Sequence, residues 1–423
     1  MFKSILKNII AIFLKIEAKL ILKKYKPKIV AITGTVGKTS TKDAIALILA
    51  IKFNVRKSEK SYNSELGVPL TIIGAKSAWN NVFEWFLVFL KGLKALIKKE
   101  EYPEWLVLEM GVGKPKDMER LVSWIFPNIA VFTALAEIPV HVEKFPSAED
   151  LIKEKIKLAG ALKKDGCLIL NGDDKIILNL KESKTITYGF TEGLDLIASN
   201  YNISPDGINF KIDYKGNIIP VRIPNVFGKQ YVYTALAALA VGISLELNLV
   251  ETVEAISRFK PPAGRLNLLE GIKNSFILDD TYNSSPIAVL AALEVLKTLP
   301  AERKIAVLGD MLELGKFTIE EHKKLGRLVK EFKIDLLFTV GPRAKFIADE
   351  ARCVGFDPQN IFEFSNSEEA KIPLQEKIKQ KDLILVKGSQ VMRMEKIIEE
   401  IMAHPELKPE LLARQEKEWQ NKG

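Results

Sequence analysis

Apolar runs that stop at a glycine or a carboxylate alternate with helix-length amphipathic stretches along most of this chain. That alternation predicts parallel α/β structure, because strands covered on both faces read as unbroken apolar runs and helices make the crossovers between them. Strands are expected at 28–32, 105–109, 129–133, 167–170, 276–279, 304–308, 335–340 and 382–386. Between about 185 and 224 the period falls to two. Ile208, Phe210, Ile212 and Tyr214 alternate with polar residues between the turns Ser204-Pro-Asp-Gly207 and Lys215-Gly-Asn217, which predicts a small antiparallel insert. One helix is expected over roughly 228–258, and Pro261-Pro262-Ala-Gly264 after it reads as a hinge, since consecutive prolines stop a helix. The expected division is a basic amphipathic helix (1–27), a central domain (28–262) with a mostly parallel sheet and the antiparallel insert, and a C-terminal Rossmann-like α/β domain (263–423).

At 423 residues, 47% apolar, the chain has ample core for two or three domains. Its two cysteines, Cys167 and Cys353, build neither a disulfide framework nor a four-cysteine zinc site and fit a reducing cytoplasm. The formal charge of +9 is concentrated at the front, where eight lysines stand against Glu17 in the first 30 residues. The near-neutral remainder lacks the basic stripe that a nucleic-acid groove needs, so no nucleic-acid partner is expected. Ile5 to Leu22 is apolar but broken by Lys7, Lys15, Glu17 and Lys19, with no cleavage site after it, so it is neither a transmembrane span nor a signal peptide. Such a segment can lie peripherally on a membrane, placing the protein at the inner membrane surface, or pack on the domain behind it. The aromatic-rich stretch Trp79 to Ile97 is read as a buried helix covering the sheet in preference to a membrane-facing one.

The run Thr33-Gly-Thr-Val-Gly-Lys-Thr-Ser40, between the expected strand and a helix-like stretch, is a phosphate-binding loop in a shorter form than the common one, which would need glycine at Ile32. Gly34, Thr35 and Gly37 let successive amides face an anion, Lys38 reaches the outer phosphates, the Thr39 hydroxyl can hold Mg²⁺ and Ser40 adjoins the nucleotide, so ATP with Mg²⁺ is the expected ligand. Glu109 ends an apolar run where such sheets present a carboxylate to the metal. His141 follows the 129–133 strand, and Asp279-Asp280 run into the polar turn Thr281-Tyr-Asn-Ser-Ser-Pro286, which could grip a ribose or form a simple Asx turn.

In their order these pieces, with Tyr62-Asn-Ser-Glu-Leu-Gly-Val-Pro69, Gly264-Arg-Leu266, Gly309-Asp-Met-Leu-Glu-Leu-Gly315 and Lys387-Gly-Ser389, resemble the Mur ligase family, most closely its MurF type. The resemblance implies an acyl-phosphate ligase, a monomer acting on a UDP-linked muramoyl peptide and a dipeptide amine, with ATP and two Mg²⁺ sites. It implies Lys38 and the loop amides on the phosphates, Thr39, Glu109 and His141 toward metal, and a CO₂-carbamylated lysine matching Lys155, with Lys153 and Lys157 leaving the register open. It also implies Arg265, Asp280 and Asn283 on the nucleotide, and Lys387 and Ser389 toward the amine. The chain departs from the family pattern at Gln230, Tyr231 and Thr234, where histidine and two asparagines are usual, at Ala134, usually asparagine, and at Lys157, usually glutamate. Only about 27 residues precede the first expected strand, where the MurF type carries a uridine-nucleotide domain. A Mur-like ligase with another carboxylate substrate, lipid-linked or a poly-amino acid, and a non-catalytic nucleotide switch are the competing readings.

Overall fold

The computed structural model describes residues 2–79, 81–98, 100–137, 141–180 and 184–420, so Pro139 and Val140 of the His141 motif lie outside the described residues. Two sheets carry the chain. The first has strands β1 (Lys28–Thr33), β2 (Val55–Lys57), β3 (Trp105–Glu109), β4 (Ile129–Phe132), β5 (Cys167–Asn171), β6 (Thr185–Gly189), β7 (Leu196–Ser204), β8 (Gly207–Tyr214) and β9 (Asn217–Pro224), in the order 2-3-1-4-5-6-7-8-9. Pairing is parallel from β2 to β7 and antiparallel from β7 to β9. The second has β10 (Asn267–Gly271), β11 (Ser275–Asp280), β12 (Arg303–Gly309), β13 (Leu336–Val340), β14 (Ile361–Phe364) and β15 (Asp382–Lys387), in the order 10-11-15-12-13-14, with only the β10–β11 pair antiparallel.

All eight expected strands are present. Three expectations are corrected. The stretch from 185 begins with β6, which joins β5 and β7 in parallel, so the alternating Thr-Ile-Thr-Tyr pattern belongs to the main sheet and the antiparallel part is its edge. The helix expected over 228–258 is two, Lys229–Ser244 and Leu249–Ile256, because the Asn248 side chain accepts from the Val250 and Glu251 amides and starts a new helix. Trp79 to Ile97 does not cover the sheet. Capped by Asn81, it forms α4 (Val82–Ile97), which buries Trp85, Val88, Gly92 and Ala95 on one side and leaves large apolar side chains in water on the other.

Beneath α4 lies α1 (Phe2–Tyr25), whose Leu14, Ala18 and Ile21 are fully buried in a core shared with α3 (Gly67–Ile73) and one face of the first sheet. The sheet's other face packs on α2 (Lys38–Leu49) and the Lys229–Ser244 helix. Strand β1 lies between β3 and β4, and the order reverses there, so the loop after β1 opens at the topological switch point where such sheets bind ligands.

Candidate active site

The β1–β3 register sets Ile32 opposite Glu109, and β1–β4 sets Thr33 opposite Phe132, so the loop, Glu109 and Thr133 share one sheet edge. The loop's shape depends on its glycines. Gly34 has φ 151°, and a Cβ there would stand 1.8 Å from Thr133 Oγ1, a hydroxyl that donates to the Thr33 and Val36 carbonyls. Gly37, at φ 81°, turns the chain into α2. Lys38 Nζ folds over the loop and donates to the Gly34 and Thr35 carbonyls at 3.1 Å each. Burial lowers its pKa against the opposing pull of Glu109, and Arg265 lowers it further. An anion at the loop would restore what burial removes.

Glu109 is 1% exposed and accepts from Thr39 (3.0 Å), Ser61 (2.7 Å) and Asn63 (2.9 Å), with no salt-bridge partner among the described residues. A buried carboxylate held by neutral donors is what a divalent cation site needs. The loop bearing Ser61 and Asn63 is fixed by Lys42, a fully buried ammonium group that donates to the Ser58 (2.5 Å) and Lys60 (3.3 Å) carbonyls.

Across the cleft, the helix Ala148–Ile156 starts at the Ser147 cap and turns Leu151, Glu154 and Lys155 inward at helical spacing. Lys153 and Lys157 are exposed, and of the three lysines Lys155 is the one that lines the cleft. Its Nζ donates to Thr35 Oγ1 at 3.0 Å, and burial followed by repulsion from Lys38 pushes its pKa well below the ordinary lysine value. His141, at φ 75°, sits with Nδ1 2.5 Å from Glu313 Oε2, and Lys144 pairs with the same carboxylate. Burial lowers the His141 pKa despite Glu313.

The second sheet contributes the opposite wall. Arg265 Nη2 donates to Thr39 Oγ1 at 3.3 Å while its guanidinium stacks 4.2 Å over Tyr282. Asp280 and Lys387 are register partners, and Lys387 Nζ bonds both Asp280 (2.6 Å) and the Asn283 carbonyl (2.9 Å). Asp280 is thus held by Lys387. Ser389 turns away from the cleft and accepts from the Leu312 amide at 2.9 Å. Ser40, against Tyr231, completes the loop's wall.

These residues line one cleft of about 1300 Å³. It gathers the phosphate loop, Glu109, His141, Lys155, Arg265, Asp280, Asn283 and Lys387, whereas the expected Ser389 and the buried Asp279 lie outside it. It also holds groups that sequence reasoning passed over: Asn63, Ser284 and Ser285, which lie within recognised motifs but carry no assigned role there, and Ser61, which stands just before Tyr62. The hydroxyls of Ser284 and Ser285 and Gln230 Oε1 are buried without partners, as polar atoms awaiting a ligand would be.

The chain matches the Mur ligase middle domain over residues 32–85 and 90–242, and the Mur ligase, glutamate ligase domain over 264–390. It is 30% identical over 389 residues to the UDP-N-acetylmuramoyl-tripeptide--D-alanyl-D-alanine ligase of Bacillus subtilis, covering 92% of this chain and 79% of that protein. The protein of the same name from Escherichia coli is 27% identical over 376 residues, covering 88% and 76%. In fold it is similar to MurF ligase from Thermotoga maritima in complex with ADP, with a TM-score of 0.76 at 24% identity, covering 92% of this chain and 82% of that one.

Proposed function

Because the chain belongs to the Mur ligase family, we propose that it is an ATP-dependent, ADP-forming ligase of peptidoglycan precursor synthesis that joins D-alanyl-D-alanine to UDP-N-acetylmuramoyl-tripeptide. The observation that carries this reading is the cleft in which the phosphate loop, Glu109 and the buried Lys155 face Arg265 and Lys387 from the second sheet.

The substrate carboxylate attacks the γ-phosphorus, the bond to ADP breaks, and an acyl phosphate results. The amine nitrogen then adds to the carbonyl carbon, loses a proton, and phosphate leaves with the C–O electron pair. Repulsion between two anions dominates the first barrier, so positioning and fixed positive charge are what the protein must supply. Lys38 and the loop amides hold the transferred phosphoryl group, and Arg265 meets it from the far wall. Lys387, fixed by Asp280, presents a cation beside Asn283. Ser284 and Ser285 offer hydroxyls to the nucleotide or the amine.

Mg²⁺ would be held by Thr39 and Glu109, whose buried carboxylate has neutral donors only, and a second ion by His141 together with a carbamylated Lys155. Such ions screen the charge between carboxylate and phosphate. Carbamylation needs an uncharged amine, the form that burial favours at Lys155: its lone pair adds to CO₂, a proton leaves, and a cation becomes an anionic ligand. Residues 28–262 and 263–423 form the two catalytic domains, with 1–27 an appended helix that contacts a membrane peripherally from the cytoplasmic side. A monomer suffices, since one chain lines the whole cleft.

The test is ADP release with ATP and Mg²⁺ when UDP-N-acetylmuramoyl-tripeptide and D-alanyl-D-alanine are offered singly and together. Turnover that needs both, a product one dipeptide heavier less water, and loss in Lys38→Ala are expected. Turnover with one substrate alone, or with neither, would remove the ligase reading.

A further inference from the structure

Helices α1 and α4 leave an apolar surface for which ligase chemistry has no use. They run side by side in the same direction. Phe13 meets Phe89 edge-on with ring centroids 6.0 Å apart, Glu17 abuts Gly92, and Lys24 donates to the Ala95 and Leu96 carbonyls in the last turn of α4. The side of α4 turned from the body carries Phe83, Phe86, Leu87, Leu90 and Ile97, at the three- and four-residue steps of one helix face. Phe83 is 68% exposed and Ile97 73%. Beside it α1 turns Ile12, Phe13, Ile16 and Leu20 outward at the same steps. Single exposed leucines are ordinary, but a two-helix apolar face exceeds the roughly few hundred Å² that a water-facing monomer leaves bare.

Charge selects the occupant. Lys15, Lys19 and Lys23 on α1, with Lys91 on α4 and Lys98 at its C-terminal cap, border the apolar side chains and outnumber the acids Glu17 and Glu84 on the same helices. Apolar groups at the centre with ammonium groups at the margin match an anionic bilayer, where acyl chains meet phosphate headgroups. A second copy of the chain would bring the same lysines against each other, which disfavours self-pairing. Among the described residues no helix is long and apolar enough to cross a membrane, so the pair would lie along it. Asn8 and Ala11, on another side of α1, line the catalytic cleft.

We propose that the α1–α4 face docks the protein on an anionic phospholipid bilayer, with the catalytic cleft opening beside the headgroups. The placement of the cleft rests on the ligase reading; the docking itself does not.

The test is co-sedimentation of the full chain with vesicles of phosphatidylcholine alone or of phosphatidylcholine with phosphatidylglycerol. The expected result is binding to the anionic vesicles at least about tenfold stronger, weakening as salt rises, and falling at least about tenfold in Phe83→Ser/Phe86→Ser/Leu90→Ser or in Lys19→Glu/Lys23→Glu. Both variants should keep wild-type ADP release on soluble substrates, which also shows that they fold. No vesicle binding by the wild type, equal binding to both vesicles, or binding untouched by the triple substitution would overturn the proposal. So would self-association that the triple substitution abolishes without any vesicle binding, since the face would then belong to a second copy. Vesicle binding by a chain with no turnover would leave the docking standing and remove the ligase reading alone.

Discussion

Lys155 is a lysine whose burial works against its charge. Its folded pKa lies well below the unfolded value, so between the two the unfolded chain binds a proton that the folded one does not, and stability rises with pH across that window. Lys155→Met removes the buried amine. It is expected to stabilise the protein at neutral pH by about 2 kcal/mol, with the gain shrinking as pH approaches 10, while ligase turnover falls at least about a hundredfold. Urea unfolding at pH 7 and 9.5, set beside ADP release, checks both. Glu17 shows the opposite sign. Burial between α1 and α4 pushes its carboxyl up to about 7, with Oε2 lacking a partner. The folded state holds the proton after the unfolded chain has released it, so stability is highest below the unfolded pKa and falls as pH rises to about 7. Glu17→Gln should gain about 1 kcal/mol at pH 8, a figure discounted for the residue's partial exposure, and less at pH 5.5 by the same unfolding measurement.

Elements were legible in proportion to how uniformly their environment treats them. β1, β3, β4 and β15 are covered on both faces, so they appear as apolar runs ended by a polar residue, and those ends carry Glu109 and Lys387. β10 and β14 are edge strands and β2 is three residues long, so their mixed patterns resemble loops. α4 misled for a physical reason. Its sequence is apolar nearly all round, which ordinarily means burial, and periodicity cannot tell a protein core from another apolar surface. The phosphate loop was the clearest element, because the conformation at Gly34 admits little else. Gly34→Ala would drive a Cβ into Thr133 and break that hydroxyl's bonds to the Thr33 and Val36 carbonyls. The expected cost is about 2–3 kcal/mol of loop order and a fall in nucleotide affinity of at least about tenfold, with the rest of the fold retained. Nucleotide titration by calorimetry, alongside an unchanged far-ultraviolet circular dichroism spectrum, would establish it, and wild-type affinity would refute it.

At the scale of the whole molecule the two halves share an apolar cluster and are joined by a few long-range side-chain contacts, and these contacts the sequence could not reveal, since nothing local marks which distant residues will touch. Arg265 reaches Thr39, Lys60 pairs with Glu416, Trp419 meets Trp79 edge-on, and Glu313 grips both His141 and Lys144. Glu313 came with the quoted motif Gly309–Gly315, but its partner is about 170 residues away in sequence, beyond any spacing argument. The bridge ties the second sheet to the site. The Glu313 carboxylate stands at Nδ1 of His141 and raises a pKa that burial otherwise lowers. Removing that charge acts in two ways. The ring loses an orienting partner, and its protonation moves to more acidic pH. Glu313→Gln should therefore cut kcat/KM by about tenfold at pH 7.5 and shift the acid limb of its pH profile to lower pH. A merely structural contact would lower activity with the limb unmoved. If the limb stays in place, or moves to higher pH, His141 is not the group that Glu313 controls.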